Sequence, residues 1–223
     1  MATLTPIFWE TATPTMREVL TFIGQCTFAP RFYLAGGTAL ALRFGHRRSV
    51  DLDFFSSVDE IGQQTRREIL NELSPLTPQT LEAVEGNLLL VLRNMHVGFF
   101  GYSYPLLAPT DSAEGVAIAS PVDIGLMKLD ALISRGSRKD FYDLYFILQQ
   151  IPLSELLVLG RTKYPYARDF ELMAVESLVL FDNADRDLQP QLLTNVAWDQ
   201  VKRFFVAEAQ ALGQDWFDMR KES

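Results

Sequence analysis

The spacing of apolar residues changes several times along this chain, and each change predicts an element. Thr13-Pro14 reads as a capping residue followed by proline at a first helical position, opening a helix that runs to about Gly24. Phe32–Ala35 is short and apolar and predicts a strand; Gly36-Gly37 breaks it, and Thr38–Arg43 reads as a short helix. Val50–Phe55 alternates and predicts a second strand. Ser57–Leu73 has Ile61, Ile69, Leu70 and Leu73 at helical spacing, with Pro75 and Pro78 beyond it. Three strand-like runs follow, Thr80–Val84, Asn87–Arg93 and His96–Tyr102. Turn signals at Glu85-Gly86-Asn87 and Asn94 join them into an antiparallel meander. Val116–Ala119 predicts one more strand.

From Pro121 the period becomes helical. Val122, Leu126, Leu129 and Ile133 share one face of Pro121–Arg135, Gly136-Ser137 interrupts, and Arg138–Gln150 carries Phe141, Leu144, Tyr145 and Leu148. Pro152, Pro165 and Pro190 punctuate the rest, where Ala167–Phe181 and Val196–Leu212 are the strongest helices. The fold class this implies is α/β: a small mixed sheet with flanking helices over residues 1–120, then a helical region over 121–223. Trp198, Phe204, Phe205 and Trp216 are expected in the core of that region.

The 223 residues suit one large domain or a domain with an appendage, and 48% hydrophobic against 22% charged residues is a folded-protein profile. A net charge of -8, spread without an acidic tail or basic arm, disfavours broad coating of nucleic acid. Cys26 stands alone, so no internal disulfide forms, and its apolar neighbours mark it as a buried filler. Two histidines give a zinc site little material. The opening MATLTPIFWETATP has no basic start and no long apolar run, so no signal peptide is expected. No stretch approaches the ~20 apolar residues of a membrane span. A cytoplasmic protein without membrane association is the expectation.

The segment Ala35–Phe55 concentrates the chemistry. Asp51 and Asp53 fall on one face of a strand whose other face is apolar, and two like charges there repel unless a cation lies between them. Mg²⁺, which takes few protein carboxylates and completes its shell with water and phosphate oxygens, is the natural partner. Gly36-Gly37 precedes a helix start, where a backbone can approach a ligand and free N–H groups favour anions. Thr38 adds a hydroxyl, and His46-Arg47-Arg48 add positive charge. A second segment carries Lys128 and Arg135 seven apart on one helical stripe, with a lysine stem that can lie on apolar surface and present its ammonium to phosphate. Asp140 and Asp143 share a side, and Lys139 is placed to pair with Asp143. Read by itself, this second segment is a salt-bridged helix pair.

Together the string Leu34-Ala35-Gly36-Gly37-Thr38-Ala39-Leu40 with His46-Arg47-Arg48-Ser49, Asp51-Leu52-Asp53-Phe54-Phe55, and the block around Lys128-Leu129-Asp130-Ala131-Leu132 and Arg138-Lys139-Asp140-Phe141-Tyr142-Asp143, resembles the AbiEii/AbiGii toxin branch of the polymerase-beta-type nucleotidyltransferases over roughly residues 31–150. The resemblance implies that Asp51 and Asp53 hold Mg²⁺ (or Mn²⁺) on a nucleoside triphosphate. It gives Gly36, Gly37, Thr38, Arg48, Ser49 and Lys128 to nucleotide binding, and to Asp140 or Asp143 a catalytic role or the positioning of Lys128. It implies RNA, particularly tRNA ends, or a protein as acceptor, and a cognate antitoxin as partner. One departure stands out. Many relatives carry a third carboxylate across from the aspartate pair, yet Leu88–Arg93 and Met95–Tyr102 contain none. Glu82, Asp140 or Asp143 is left to take that role, or two-metal chemistry is weakened; His96 is a candidate base. A degenerate relative that binds nucleotide or a partner without turnover is the competing reading.

Overall fold

The computed structural model describes residues 2–219, with side chains described through Gln214. Its contacts divide it into two compact units, Met1–Ile124 and Gly125–Ser223. The first unit is built on one sheet. Its strands are β1 (Ala2–Thr3), β2 (Tyr33–Ala35), β3 (Leu52–Ser56), β4 (Gln79–Val84), β5 (Asn87–Leu92), β6 (Met95–Gly101), β7 (Asp111–Ala113) and β8 (Val116–Ile118). They lie in the order β1-β7-β8-β2-β3-β6-β5-β4. The expected meander is present: β4, β5 and β6 pair antiparallel. Beyond it the sheet is mixed, with β3 parallel to β6, antiparallel to β2, and β2 parallel to β8. This places β3 near the middle of the sheet.

Helix α1 (Pro14–Gly24) starts as its sequence requires, with Thr13 Oγ1 accepting from the Met16 N–H at 3.1 Å. It buries Met16, Val19, Leu20 and Ile23, the 3–4 spacing of an amphipathic helix. Helix α2 (Gly36–Phe44) follows β2 directly and ends at Gly45, which has a left-handed φ of 67°. Alternation along β3 and β5 sends Leu52, Phe54, Leu88, Leu90 and Leu92 into a core. There the rings of Phe28, Phe32, Phe54 and Phe99 pack at centroid distances of 5.1–6.0 Å. Each such ring contributes about 1.5–3 kcal/mol by leaving water.

Helix α3 is shorter than the periodicity predicts, Gln63–Glu72 rather than 57–73. The missing turns are taken by side chains that bond the backbone locally. Ser56 Oγ accepts from the Val58 and Asp59 N–H groups, and the Asp59 carboxylate accepts from Ile61 N–H and Thr65 Oγ1. Strand β3 begins at Leu52, leaving Val50 exposed and Asp51 just outside the ladder.

The second unit is helical: most of α4 (Pro121–Ser134), then α5 (Arg138–Leu148), α6 (Leu153–Lys163), α7 (Phe170–Ser177), α8 (Asp182–Arg186) and α9 (Trp198–Met219). The division at 124/125 falls inside α4. Leu126 and Leu129 are fully buried, as their stripe requires, while Leu132 takes the inward place expected of Ile133. Phe205 is in the core and Trp198 and Phe204 are half-buried; Trp216 lies outside the described side chains. Gly160 lets α6 meet the Phe170 ring of α7, since a methyl there would stand 2.6 Å from it.

Candidate active site

At the junction of β2 and α2, Gly36 adopts φ +65°, a left-handed conformation that side chains disfavour. Ala35 is the register partner of Asp53. The Asp53 carboxylate therefore lies over the turn, with Oδ2 3.2 Å from where a Gly36 Cβ would stand. Gly37 has a different neighbour: a methyl placed on it would overlap the guanidinium of Arg47. Arg47 is buried, 6% exposed, and its Nη1 donates to the Arg48 carbonyl at 3.0 Å. Arg48, expected at the phosphate, is exposed. The cation seated at the glycine pair is Arg47. The loop leaving Gly45 turns His46 and Arg47 inward together, a placement no alternation rule anticipates.

Thr38 and Ser49 act on Asp51. Thr38 is 3% exposed; its hydroxyl donates to the Asp51 carbonyl and lies 2.8 Å from Ser49 Oγ. A hydroxyl has one proton, so with Thr38 donating to Asp51 the Ser49 hydroxyl donates to Thr38. The first turn of α2 is thereby tied to the start of β3. The Asp51 side chain remains 40% exposed, with Oδ1 3.4 Å from Nδ1 of His96.

The residue beside Asp53 on β6 is Gly98, so no carboxylate stands across from it on that strand. Any Cβ at Gly98 would lie 3.5 Å from Asp53 Oδ1 and would overlap the Phe100 ring. Glu82 does not replace it. It is exposed on β4, three strands from β3, roughly 14 Å at about 4.8 Å per strand, and accepts from Asn87 Nδ2 at 2.8 Å. Among the described residues no group of three or more His, Cys, Asp or Glu side chains is arranged to hold a metal ion. Asp53 is the carboxylate beside the glycine turn and Asp51 precedes it by two residues; carboxylate oxygens suit Mg²⁺ or Mn²⁺, which draws its other ligands from water and phosphate.

The second unit holds a separate buried cluster. Lys128, on α4, is 5% exposed and its ammonium lies 2.7 Å from both Asp140 Oδ1 and Asp143 Oδ2 on α5. Asp140 also accepts from Arg135 Nε at 2.8 Å, Arg135 Nη2 at 3.0 Å and Ser137 Oγ at 2.6 Å. Burial alone would raise the Asp140 pKa, but the Lys128 ammonium and then Arg135 outweigh it and hold the carboxyl well below the usual range. Both aspartates grip Lys128. Cys26 is half-buried, and burial followed by the Glu72 carboxylate pushes its thiol up to about 11, so it carries no thiolate at neutral pH. No described helix is long and apolar enough to cross a membrane.

The family profile described as Nucleotidyl transferase AbiEii toxin, Type IV TA system, matches residues 19–94. An uncharacterised protein of Aquifex aeolicus is 36% identical over 194 residues, spanning 85% of this chain and 91% of that protein. Among solved structures, the nucleotidyltransferase toxin MenT4 of Mycobacterium tuberculosis aligns with a TM-score of 0.56 at 16% identity, over 87% of this chain and 83% of that one. JHP933 of Helicobacter pylori aligns at 0.51 and 16%, over 93% and 92%. The antibiotic-resistance factor ANT(2'')-Ia aligns at 0.52 and 15%, over 69% and 95%. At these identities the structures speak for a shared fold.

Proposed function

Because the chain belongs to the AbiEii nucleotidyltransferase toxin family, we propose that it moves a nucleoside monophosphate from a nucleoside triphosphate to a hydroxyl of RNA, such as a tRNA end, or of a protein. In its host it would be the toxin partner of a cognate antitoxin. The observation that carries this reading is the turn at Gly36-Gly37, where the Asp53 carboxylate and the Arg47 guanidinium are seated on successive glycines.

Asp51 and Asp53 would hold Mg²⁺ or Mn²⁺, which when bound neutralises triphosphate charge and polarises the reacting phosphoryl group. The chain's own residues supply position. Thr38 and Ser49 fix the Asp51 backbone, and Gly36 lets Asp53 lie close to the turn. The N–H groups opening α2 and the Arg47 guanidinium bind phosphate oxygens. The family resemblance gives Lys128 to the nucleotide as well; within the second unit its ammonium is held by Asp140 and Asp143. The acceptor hydroxyl gives up its proton to solvent as its oxygen bonds to the α-phosphorus, the bond from that phosphorus to the oxygen bridging the β-phosphate breaks, and pyrophosphate leaves. Most of the rate would come from alignment and charge stabilisation.

The test uses each of the four α-phosphate-labelled triphosphates with Mg²⁺ or Mn²⁺, offered with total bacterial RNA and with the protein alone. Label carried to RNA or protein by the native chain and not by Asp53→Asn is the expected result, and it names both nucleotide and acceptor. Gly98 beside Asp53 favours a second reading, in which nucleotide binds without turnover. Tight triphosphate binding with no transfer to any acceptor would select that reading.

A further inference from the structure

The sheet face that carries Asp53 also carries a row of aromatic rings. Two residues on from Asp53, Phe55 projects to the same side, and the register sets Tyr33 of β2 and Phe100 of β6 on either side of it. The Phe55 ring lies 6.2 Å from Tyr33 at an interplanar angle of 26°, 5.1 Å from Phe100 at 30°, and 5.7 Å from Tyr102. Tyr102 in turn meets Tyr104 at 5.1 Å. On the opposite face the rings of Phe28, Phe32, Phe54 and Phe99 are at most 3% exposed. On this one Phe55, Phe100 and Tyr102 are half-buried and Tyr104 is 37% exposed. Rings left open beside two carboxylates forgo burial that the other face takes in full. Tyr33 is the exception, 4% exposed, and its hydroxyl is buried without a hydrogen-bond partner among the described residues. A buried phenol without a partner is costly unless a ligand or water completes it.

The order of groups along the sheet matches the order of parts in a nucleotide. The glycine turn and Arg47 come first, Asp53 beside Ala35 next, and Phe55 beside Tyr33 one row further, about 6.6 Å on at 3.3 Å per residue. That is phosphate, metal and sugar, then base. We propose that Phe55, Phe100, Tyr102 and Tyr104 form a stacking ledge for a nucleobase, with the Tyr33 hydroxyl as a donor or acceptor for the base edge. The proposal rests on the nucleotidyltransferase reading for where the phosphates lie. The base belongs either to the triphosphate or to an RNA acceptor, since stacking is the same chemistry for both.

The test measures affinity for the four nucleoside triphosphates, for base-free ribose 5-triphosphate and for a short single-stranded RNA, using the native chain, Phe55→Leu, Tyr104→Ala and Tyr33→Phe. Tyr104 is exposed, so its variant keeps the fold if Phe55→Leu does not. Loss of one stacked base weakens binding about 5- to 150-fold. If the ledge takes the triphosphate's base, Phe55→Leu and Tyr104→Ala weaken triphosphate binding by that factor and leave ribose triphosphate and RNA unchanged. If it takes an acceptor base, RNA binding alone falls. Tyr33→Phe narrows the spread among the four bases. Equal affinities of native and variant chains for every ligand, or ribose triphosphate bound as well as the nucleotides with RNA unaffected, would overturn the ledge. A ledge that binds bases in a chain that transfers no label would leave this inference standing and end the turnover reading.

Discussion

Gly37 carries no side chain because the Arg47 guanidinium fills the space one would need. Gly37→Ala should therefore cost about 1–3 kcal/mol, the usual effect of overpacking. Arg47→Ala in the same chain should remove most of that penalty, and urea denaturation of the two single variants and the double variant measures the coupling. Asp140 makes a second prediction. Replacing it with Asn leaves Lys128 with less of its buried counter-charge and should cost about 3–5 kcal/mol at neutral pH. Its folded pKa lies below the unfolded value of about 3.9, so the unfolded chain takes up the proton first on acidification. The stabilisation is then complete above about pH 4 and declines as pH falls below it. The native urea midpoint should drop more steeply than that of Asp140→Asn below about pH 4; parallel curves would show that the carboxylate is not held by charge. Asp51 falls just outside the ladder, but the local placements of Asp53 and Gly36 were legible in the sequence, because alternation and a glycine after a strand are local signals. Arg47 was not. Three consecutive basic residues in a loop carry no period, and burial alone separates the 6% exposed Arg47 from the exposed Arg48.

Strands and helices divide by the same criterion of local signal. The alternation of β3 and β5 is visible because one face of each is closed by the core. Strands β1 and β7 have two and three residues, too few to show a period; β1 is paired by β7, and β7 by β1 and β8. Helix α6 was not anticipated, as the prolines around it obscured its Leu153, Leu156, Leu157 and Gly160 face. The helix expected over 167–181 contracts to α7, whose outer side carries Leu172 and Met173 exposed. The short α8 depends on a neighbour. Arg138 at the start of α5 donates through Nε to the Ala184 carbonyl at 2.7 Å and through Nη2 to the Asp185 carbonyl at 3.0 Å, while its N–H meets the Asp187 carboxylate. Carbonyls at a helix end need such donors. Arg138→Ala should raise amide hydrogen exchange across 182–187, leave the middle of α5 unchanged, and cost about 1–2 kcal/mol. Unchanged exchange there would show that α8 holds itself.

The mixed α/β class and its antiparallel meander followed from the sequence, but the parallel pairing of β3 with β6 did not, because strands separated by that much chain share no local pattern. Binding should be visible in the stability of the protein. A triphosphate with Mg²⁺ or Mn²⁺ at about 100 times its Kd adds about 2.7 kcal/mol, which for a chain of this size raises Tm by roughly 5–10 °C. Asp53→Asn should lose most of that shift, as read by a thermal melt with and without ligand; an equal shift in both would place the nucleotide away from Asp53. The knot of Lys128, Arg135, Asp140 and Asp143 bears on descent as well as on folding. Lys128 meets both aspartates there and Arg135 meets Asp140, and three of the four side chains are buried. A descendant that loses any one of them by a single codon change inherits an uncompensated charge in its interior. A neutral, apolar version of the same site is reached only through that weakened ancestor or by several changes at once, so the four positions are bound to drift together.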